Sequence, residues 1–181
     1  MTLALLVIDI QNDYFPDGKM ELVGAAKAAK NAAIVMSRFR EQGLPVIHVQ
    51  HIAVSPTATF FLPETFGVEI HRDVAPMRDE LVVVKHFPNA FRATELTEVL
   101  ESLKVDELAV VGMMTHMCID TTVRAANDFG YQVTLIGDAC ATRNLEFNGH
   151  TVDAQNVQAA YLAAIDGSFA RVVSADAFSK F

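Results

Sequence analysis

The sequence predicts an α/β fold in which a parallel sheet carries helices on its faces, and two observations lead there. Six short apolar, β-branched segments recur at residues 3–8, 45–50, 81–85, 107–111, 132–136 and 170–174, and they read as strands buried on both faces. Amphipathic stretches of helical length separate most of them, at 25–41, 94–103, 118–129 and 153–164, the alternation expected of βα units.

The first strand shares only its apolarity with a leader peptide: no basic n-region precedes it, and Asp9 arrives too early for a signal-peptide core. The helix at 25–41 runs out ahead of Gly43 and Pro45, where a helix C-terminus hands over to the second strand. Residues 52–80 then break the rhythm with Pro56, Pro63, Gly67 and Pro76 around the aromatic cluster Phe60, Phe61 and Phe66, a loop excursion expected to lie over a site. The alternation resumes at the third strand, and Gly130 closes the helix at 118–129 before the fifth. No repeat, low-complexity run or linker composition divides the chain, so residues 1–181 are expected to form one domain with a single active site.

Composition narrows the function. The formal net charge is −8 and the 14 basic residues are scattered, which leaves no electrostatic footprint for nucleic acid or an anionic membrane and favours a small-molecule partner. No apolar run approaches the roughly 18 to 20 residues that span a bilayer, so a soluble protein is expected. Two cysteines, Cys118 and Cys140, are too few for a disulfide scaffold, and a reducing cytoplasm is the expected setting.

In open parallel sheets ligands bind beyond the carboxyl ends of the strands. Just past the proposed strands lie Asp9, the Gln50-His51 pair, Lys85, the loop 112–118, Asp138 and Ser174. Among these, Asp9, Lys85 and Cys118 supply an acid or base, a cation and a nucleophile. Cys118 stands at the proposed start of a helix, where orphan N–H groups and the helix dipole favour an anion. With Lys85 nearby, its thiol is expected to titrate below the roughly 8.5 of a free cysteine. Asp9 follows an apolar strand and needs a charge partner, which Lys85 provides, and it can accept the thiol proton. Cys140 has only Asp138 and Arg143 for reactive neighbours and reads as structural.

The stretch Val7-Ile8-Asp9-Ile10-Gln11-Asn12-Asp13-Tyr14-Phe15 resembles the opening of isochorismatase-like hydrolases. The segment from Gly112 through Thr115 and Cys118 to Thr122, Arg124, Ala125 and Ala126 resembles that family's nucleophile turn, Lys85 occupies the position of its third catalytic residue ahead of Ala90-Phe91, and Gly137 to Arg143 resembles its D-A-C-A-T-R stretch. The resemblance implies a three-layer α/β/α, Rossmann-like fold with strand order 3-2-1-4-5-6, a homo-oligomer, and a catalytic set of Asp9, Lys85 and Cys118. It also implies an oxyanion hole from the N–H groups of Met114 and Cys118, a cis peptide between Met113 and Met114, and a substrate pocket lined by Tyr14, Phe91, Met114 and Met117, with Phe60 or Phe61 folding over it.

The sequence departs from the nicotinamidase branch, whose Asp-x-His pair after strand two is replaced by Val49-Gln50-His51-Ile52-Ala53. No metal and no cofactor are therefore expected. The resulting expectation is a cysteine-dependent hydrolase of a small amide, ureido or carbamoyl C–N bond acting through a thioester. The alternatives are a metal-assisted amidase using His48, His51 and His71, and a non-catalytic scaffold or redox-responsive protein. In the implied strand order Lys85 starts two strands from Asp9, roughly 10 Å away, so its side chain must lean inward.

Overall fold

The computed structural model describes residues 2–178. Six strands, β1 (Leu3–Ile8), β2 (Val46–His51), β3 (Leu81–Lys85), β4 (Glu107–Met113), β5 (Gln132–Ala141) and β8 (Arg171–Val173), form one parallel sheet in the order β3-β2-β1-β4-β5-β8. The helices are α1 (Ala25–Glu41), α2 (Leu96–Ser102), α3 (Asp120–Asp128) and α4 (Ala154–Ile165). The sheet order is the expected one, because a short antiparallel hairpin of β6 (Leu145–Phe147) and β7 (His150–Val152) stands apart from the sheet and makes the sixth paired strand β8.

Period-two alternation along β1 assigns the layers. Leu3, Leu5 and Val7 join a core with the buried stripe of α1, which runs Ala25, Ala28, Ala29, Ala32, Val35, Met36 and Phe39. Ala4, Leu6 and Ile8 join the opposite core with Leu96 and Leu100 of α2 and Val123 and Ala126 of α3. All six β1 side chains are buried, which is why this strand reads as a continuous apolar run.

The differences from expectation sit at element ends. β5 runs on to Ala141 because, after a register shift between Val110 and Gly112, Cys140 and Ala141 pair with Gly112 and Met113; Gly137 and Asp138 had read as the strand's end. The hairpin β6–β7 turns on Asn148 and Gly149, both at positive φ, a tight-turn signal that the reading by apolar segments passed over. The helix expected from Cys118 begins instead at Asp120, after a π turn.

Residues 52–80 carry two 3-10 turns and pack on the α1 side, where Val68 and Val74 enter the core. The segment is held by the residues that follow Asp9. Gln11 brackets the end of β2, accepting from His51 N at 2.8 Å and donating to His51 O at 2.9 Å, and donates also to Val68 O at 2.7 Å. Asn12 donates to Phe66 O at 3.0 Å, and the Asp13 carboxylate accepts from Phe61 N at 2.6 Å.

Gly112 pairs with Ile8, the residue before Asp9, at φ 140 and with no space for a Cβ against the Ile8 carbonyl. Gly112→Ala is therefore expected to lower stability by about 2 to 4 kcal/mol, read from urea unfolding; a loss under half a kcal/mol would show that the β1–β4 contact yields freely.

Candidate active site

Three strand ends on one edge of the sheet deliver the reactive groups. Asp9 follows β1 directly and is held at φ 51, an unusual conformation for a non-glycine residue and of a kind that collects at functional sites. Lys85 is the last residue of β3 and Cys118 lies in the turn after β4. Although β2 separates their strands, the Lys85 ammonium reaches Asp9 Oδ2 at 2.7 Å, with both side chains fully buried. Lys85 Nζ also lies 3.2 Å from Cys118 Sγ, 3.1 Å from Phe87 O and 2.9 Å from His51 Nδ1. The inward lean that the strand order demands is thus met by the length of the lysine side chain.

The charges explain one another. Burial pushes the Lys85 ammonium down, but the Asp9 carboxylate and the sulfur outweigh it, so its pKa is raised and it stays cationic. Apart from that ion pair, neither Asp9 oxygen receives a hydrogen bond among the described residues, which leaves an acceptor open toward the thiol. For Cys118 the balance runs opposite to the sequence expectation. Burial and the Asp9 carboxylate push the thiol up, and the pull of Lys85 does not compensate, so the resting group is a thiol rather than a thiolate. Burial and Lys85 lower His51 to about 4, which keeps its imidazole neutral. Tyr14 is raised well above its ordinary value by burial, then by Cys118 and Asp9, which places its hydroxyl in the same electrostatic neighbourhood.

Cys118 does not open a regular helix. It is the fourth residue of the five-residue π turn Thr115–Ile119, two residues ahead of α3, so the full dipole of a helix N-terminus is not aimed at it. The preceding Met113–Met114 peptide bond is cis. Thr115 anchors the turn, its hydroxyl 2.7 Å from Gln158 Oε1, and His116 Nδ1 meets Thr142 Oγ1 at 2.6 Å. Cys140 is buried beside Ile136 O and pushed up to about 12 by burial.

The expected pocket residues distribute unevenly. Tyr14 and Phe61 are buried against each other with ring centroids 4.6 Å apart, and Phe61 also faces His51 and Phe60. Met114 is nearly buried, while Met117 is 39% exposed. Phe91 packs with Phe129 and Tyr131, on the side of the sheet that carries α2 and α3.

The three histidines weighed as metal ligands do not converge. His48 bonds Glu80 at 3.0 Å and His71 stacks on Phe15, and only His51 reaches the site. Among the described residues the cluster of donor types is Asp9, His51 and Cys118, whose ligand atoms lie within 4.8 Å of one another. The Lys85 ammonium contacts all three, so their cationic partner is internal and the donor set does not fit a resident metal.

His51 and Arg143 are the site residues that sequence reasoning did not place beside the catalytic set. His51 was legible as a strand-end residue and as a ligand in the metal-assisted alternative, not as a partner of Lys85. Arg143 closes the D-A-C-A-T-R stretch; it acts electrostatically on Tyr14 and His116, and its Nε is buried without an acceptor among the described residues.

A model of the isochorismatase domain matches residues 3–177. The isochorismatase family protein YddQ of Bacillus subtilis is 53% identical over 99% of this chain and 100% of that one. Nicotinamidase 3 of Arabidopsis thaliana is 33% identical over 90% of this chain and 85% of that one. The crystal structure of an isochorismatase from Pseudomonas putida superposes with a TM-score of 0.90 at 34% identity, covering 96% of this chain and 88% of that one. A strand order, a cluster of reactive side chains and a match along nearly the whole length agree: the chain belongs to the isochorismatase family of hydrolases.

Proposed function

We propose that the protein hydrolyses a small amide, ureido or carbamoyl C–N bond through a thioester on Cys118, without a metal or cofactor. The observation that carries this reading is the single buried ammonium in contact with both a carboxylate and a thiol at the ends of three strands. A relative named for nicotinamidase activity supports an amide as the bond cleaved.

The resting thiol gives Asp9 its role. As the sulfur adds to the substrate carbonyl, its proton passes to the unoccupied acceptor of Asp9, and the negative charge moves to the carbonyl oxygen. The N–H groups of Met114 and Cys118 are the proposed donors to that oxyanion. Asp9 returns the proton to the leaving nitrogen as the C–N bond breaks. A water then adds to the thioester, gives its proton to Asp9, and expels the sulfur, which recovers the proton. Throughout, Lys85 holds the carboxylate in place and offsets charge on the sulfur. Tyr14, Phe61, Met114, Met117 and Phe91 are the proposed substrate contacts, and self-association and a cytoplasmic setting complete the proposal. No helix among the described residues is long and apolar enough to cross a membrane.

Cys118→Ala is expected to lower turnover on the order of 10⁴-fold or more while the variant still folds and binds substrate; turnover close to the parent would mean that another group attacks. Exhaustive chelation should leave activity unchanged, and a loss restored by zinc or manganese would contradict the metal-free reading. The ionisation of Cys118 is measured by the pH dependence of iodoacetamide labelling, whose midpoint is expected above the roughly 8.5 of a free cysteine. Lys85→Met should raise that midpoint further, because it removes the cation that pulls the thiol down. Asp9→Asn should lower it, because it removes the carboxylate that pushes the thiol up. Shifts of the opposite sign would overturn the assigned electrostatics.

A further inference from the structure

The three protons of the Lys85 ammonium go to His51 Nδ1 at 2.9 Å, Phe87 O at 3.1 Å and Cys118 Sγ at 3.2 Å. Two of these three partners, His51 and Phe87, also line a cleft of about 330 Å³. That volume stands at the small end of the roughly 300 to 1,000 Å³ of ligand sites. A ring nitrogen of His51 lies within 4.8 Å of Cys118 Sγ, so the cleft begins one side chain away from the sulfur.

The other walls are mainly apolar, from Ala53, Val54, Ala58 and Phe60, and no Asp, Glu, Lys or Arg lines the cleft. Two backbone bonds shape the loop that carries these walls, Ala53 N to Phe61 O at 2.9 Å and Ala58 N to Ser55 O at 3.0 Å. The polar groups along it are already engaged: Ser55 Oγ meets Thr57 Oγ1 at 2.9 Å, and the exposed His86 donates through Nδ1 to Ile52 O at 2.8 Å. His51 is the exception. An ammonium can only donate, so His51 Nδ1 is unprotonated and the ring proton resides on Nε2, where it meets no acceptor among the described residues.

Strand order decides which part of a substrate the cleft can take. In the proposed reaction the oxyanion is directed to the turn after β4 and the leaving nitrogen to Asp9 after β1. The acyl substituent is left the direction of β2 and β3, and His51 and Phe87 lie at or just past the ends of those strands. We infer that the cleft is the acyl subsite, and that it selects a compact, uncharged acyl group carrying a hydrogen-bond acceptor for the Nε2–H of His51. The inference rests on the thioester reading of Cys118. A carboxylate or an ammonium would lose its hydration against alanine, valine and phenylalanine with no opposite charge to meet it. An acceptor atom, by contrast, pairs a donor that is otherwise unanswered.

Aldehydes test this without turnover, because the Cys118 thiol adds to their carbonyl: sulfur bonds the carbon, and the carbonyl oxygen takes the proton. Each aldehyde is scored by the concentration that half-protects Cys118 from iodoacetamide, corrected for its intrinsic addition to 2-mercaptoethanol. Tetrahydropyran-3- or -4-carbaldehyde is expected to protect at about tenfold lower concentration than acetaldehyde, and several-fold lower than cyclohexanecarbaldehyde. Succinic semialdehyde, an anion, and 1-methylpiperidine-4-carbaldehyde, a cation, should show no gain over acetaldehyde. Ala58→Phe, which fills the cleft, should erase the advantage of the ring aldehydes, and Ser55→Trp, at an exposed position, repeats the test if Ala58→Phe does not fold. The inference is overturned by ring aldehydes no better than acetaldehyde, by a charged aldehyde that protects best, by a cyclohexane ring that equals its oxygen-bearing counterparts, or by an advantage that survives filling of the cleft. Failure of the thioester reading shows up elsewhere, as turnover that survives Cys118→Ala.

Discussion

A lysine ammonium with no exposed surface must be compensated from every side, and the site is organised around that requirement. Withdrawing a charge from water costs several kcal/mol, recovered only where an opposite charge and further acceptors stand at bonding distance. Here the carboxylate of Asp9 supplies the charge, and His51, Phe87 and Cys118 supply the remaining acceptors. The positions of these groups are mutually dependent. A displacement of β1, β2 or β4 by an ångström would strand a buried cation, so the ends of three adjacent strands are held in register by the same ammonium that their side chains hold.

That constraint also accounts for the polar residues after Asp9. Gln11, Asn12 and Asp13 do not touch the thiol; each bonds backbone of the segment 51–68. By binding the two backbone groups of His51, Gln11 fixes the strand end from which the imidazole meets Lys85. By accepting from Phe61 N, Asp13 sets the aromatic ring that packs on Tyr14. Gly67 leaves the space that the Asp13 carboxylate fills. A short polar motif thus acts at a distance, since it secures the backbone over the site while only Asp9 contributes to the reacting cluster.

The electrostatic outcome separates two ways of activating a cysteine. A nucleophile on a helix N-terminus beside a cation is stored as thiolate. Cys118 sits instead in a π turn, buried, with a carboxylate oxygen within 4.8 Å besides the cation, and the protonated form prevails. Storing the proton on sulfur leaves Asp9 free to work as a base, and it keeps the buried cluster near neutrality, because a thiolate would add a second negative group to the Asp9–Lys85 ion pair.

The sequence by itself determined the sheet and the list of reactive groups. β1 and β3 and the helix α1 were legible to the residue, because an apolar run or a helical stripe is a local pattern that burial imposes directly on sequence. Asp9, Lys85 and Cys118 were legible because each follows a strand of a parallel sheet, and the strand order came from the resemblance. The extension of β5 was not, since its pairing with β4 depends on a register shift that no local pattern records. Only the tertiary structure decided that His51 joins the cluster, that Cys118 precedes α3 rather than opening it, and that the thiol keeps its proton. Each of these follows from distances and burial among residues far apart in the chain. The ionisation of a group depends on everything that surrounds it in space, and sequence specifies those surroundings only through the fold.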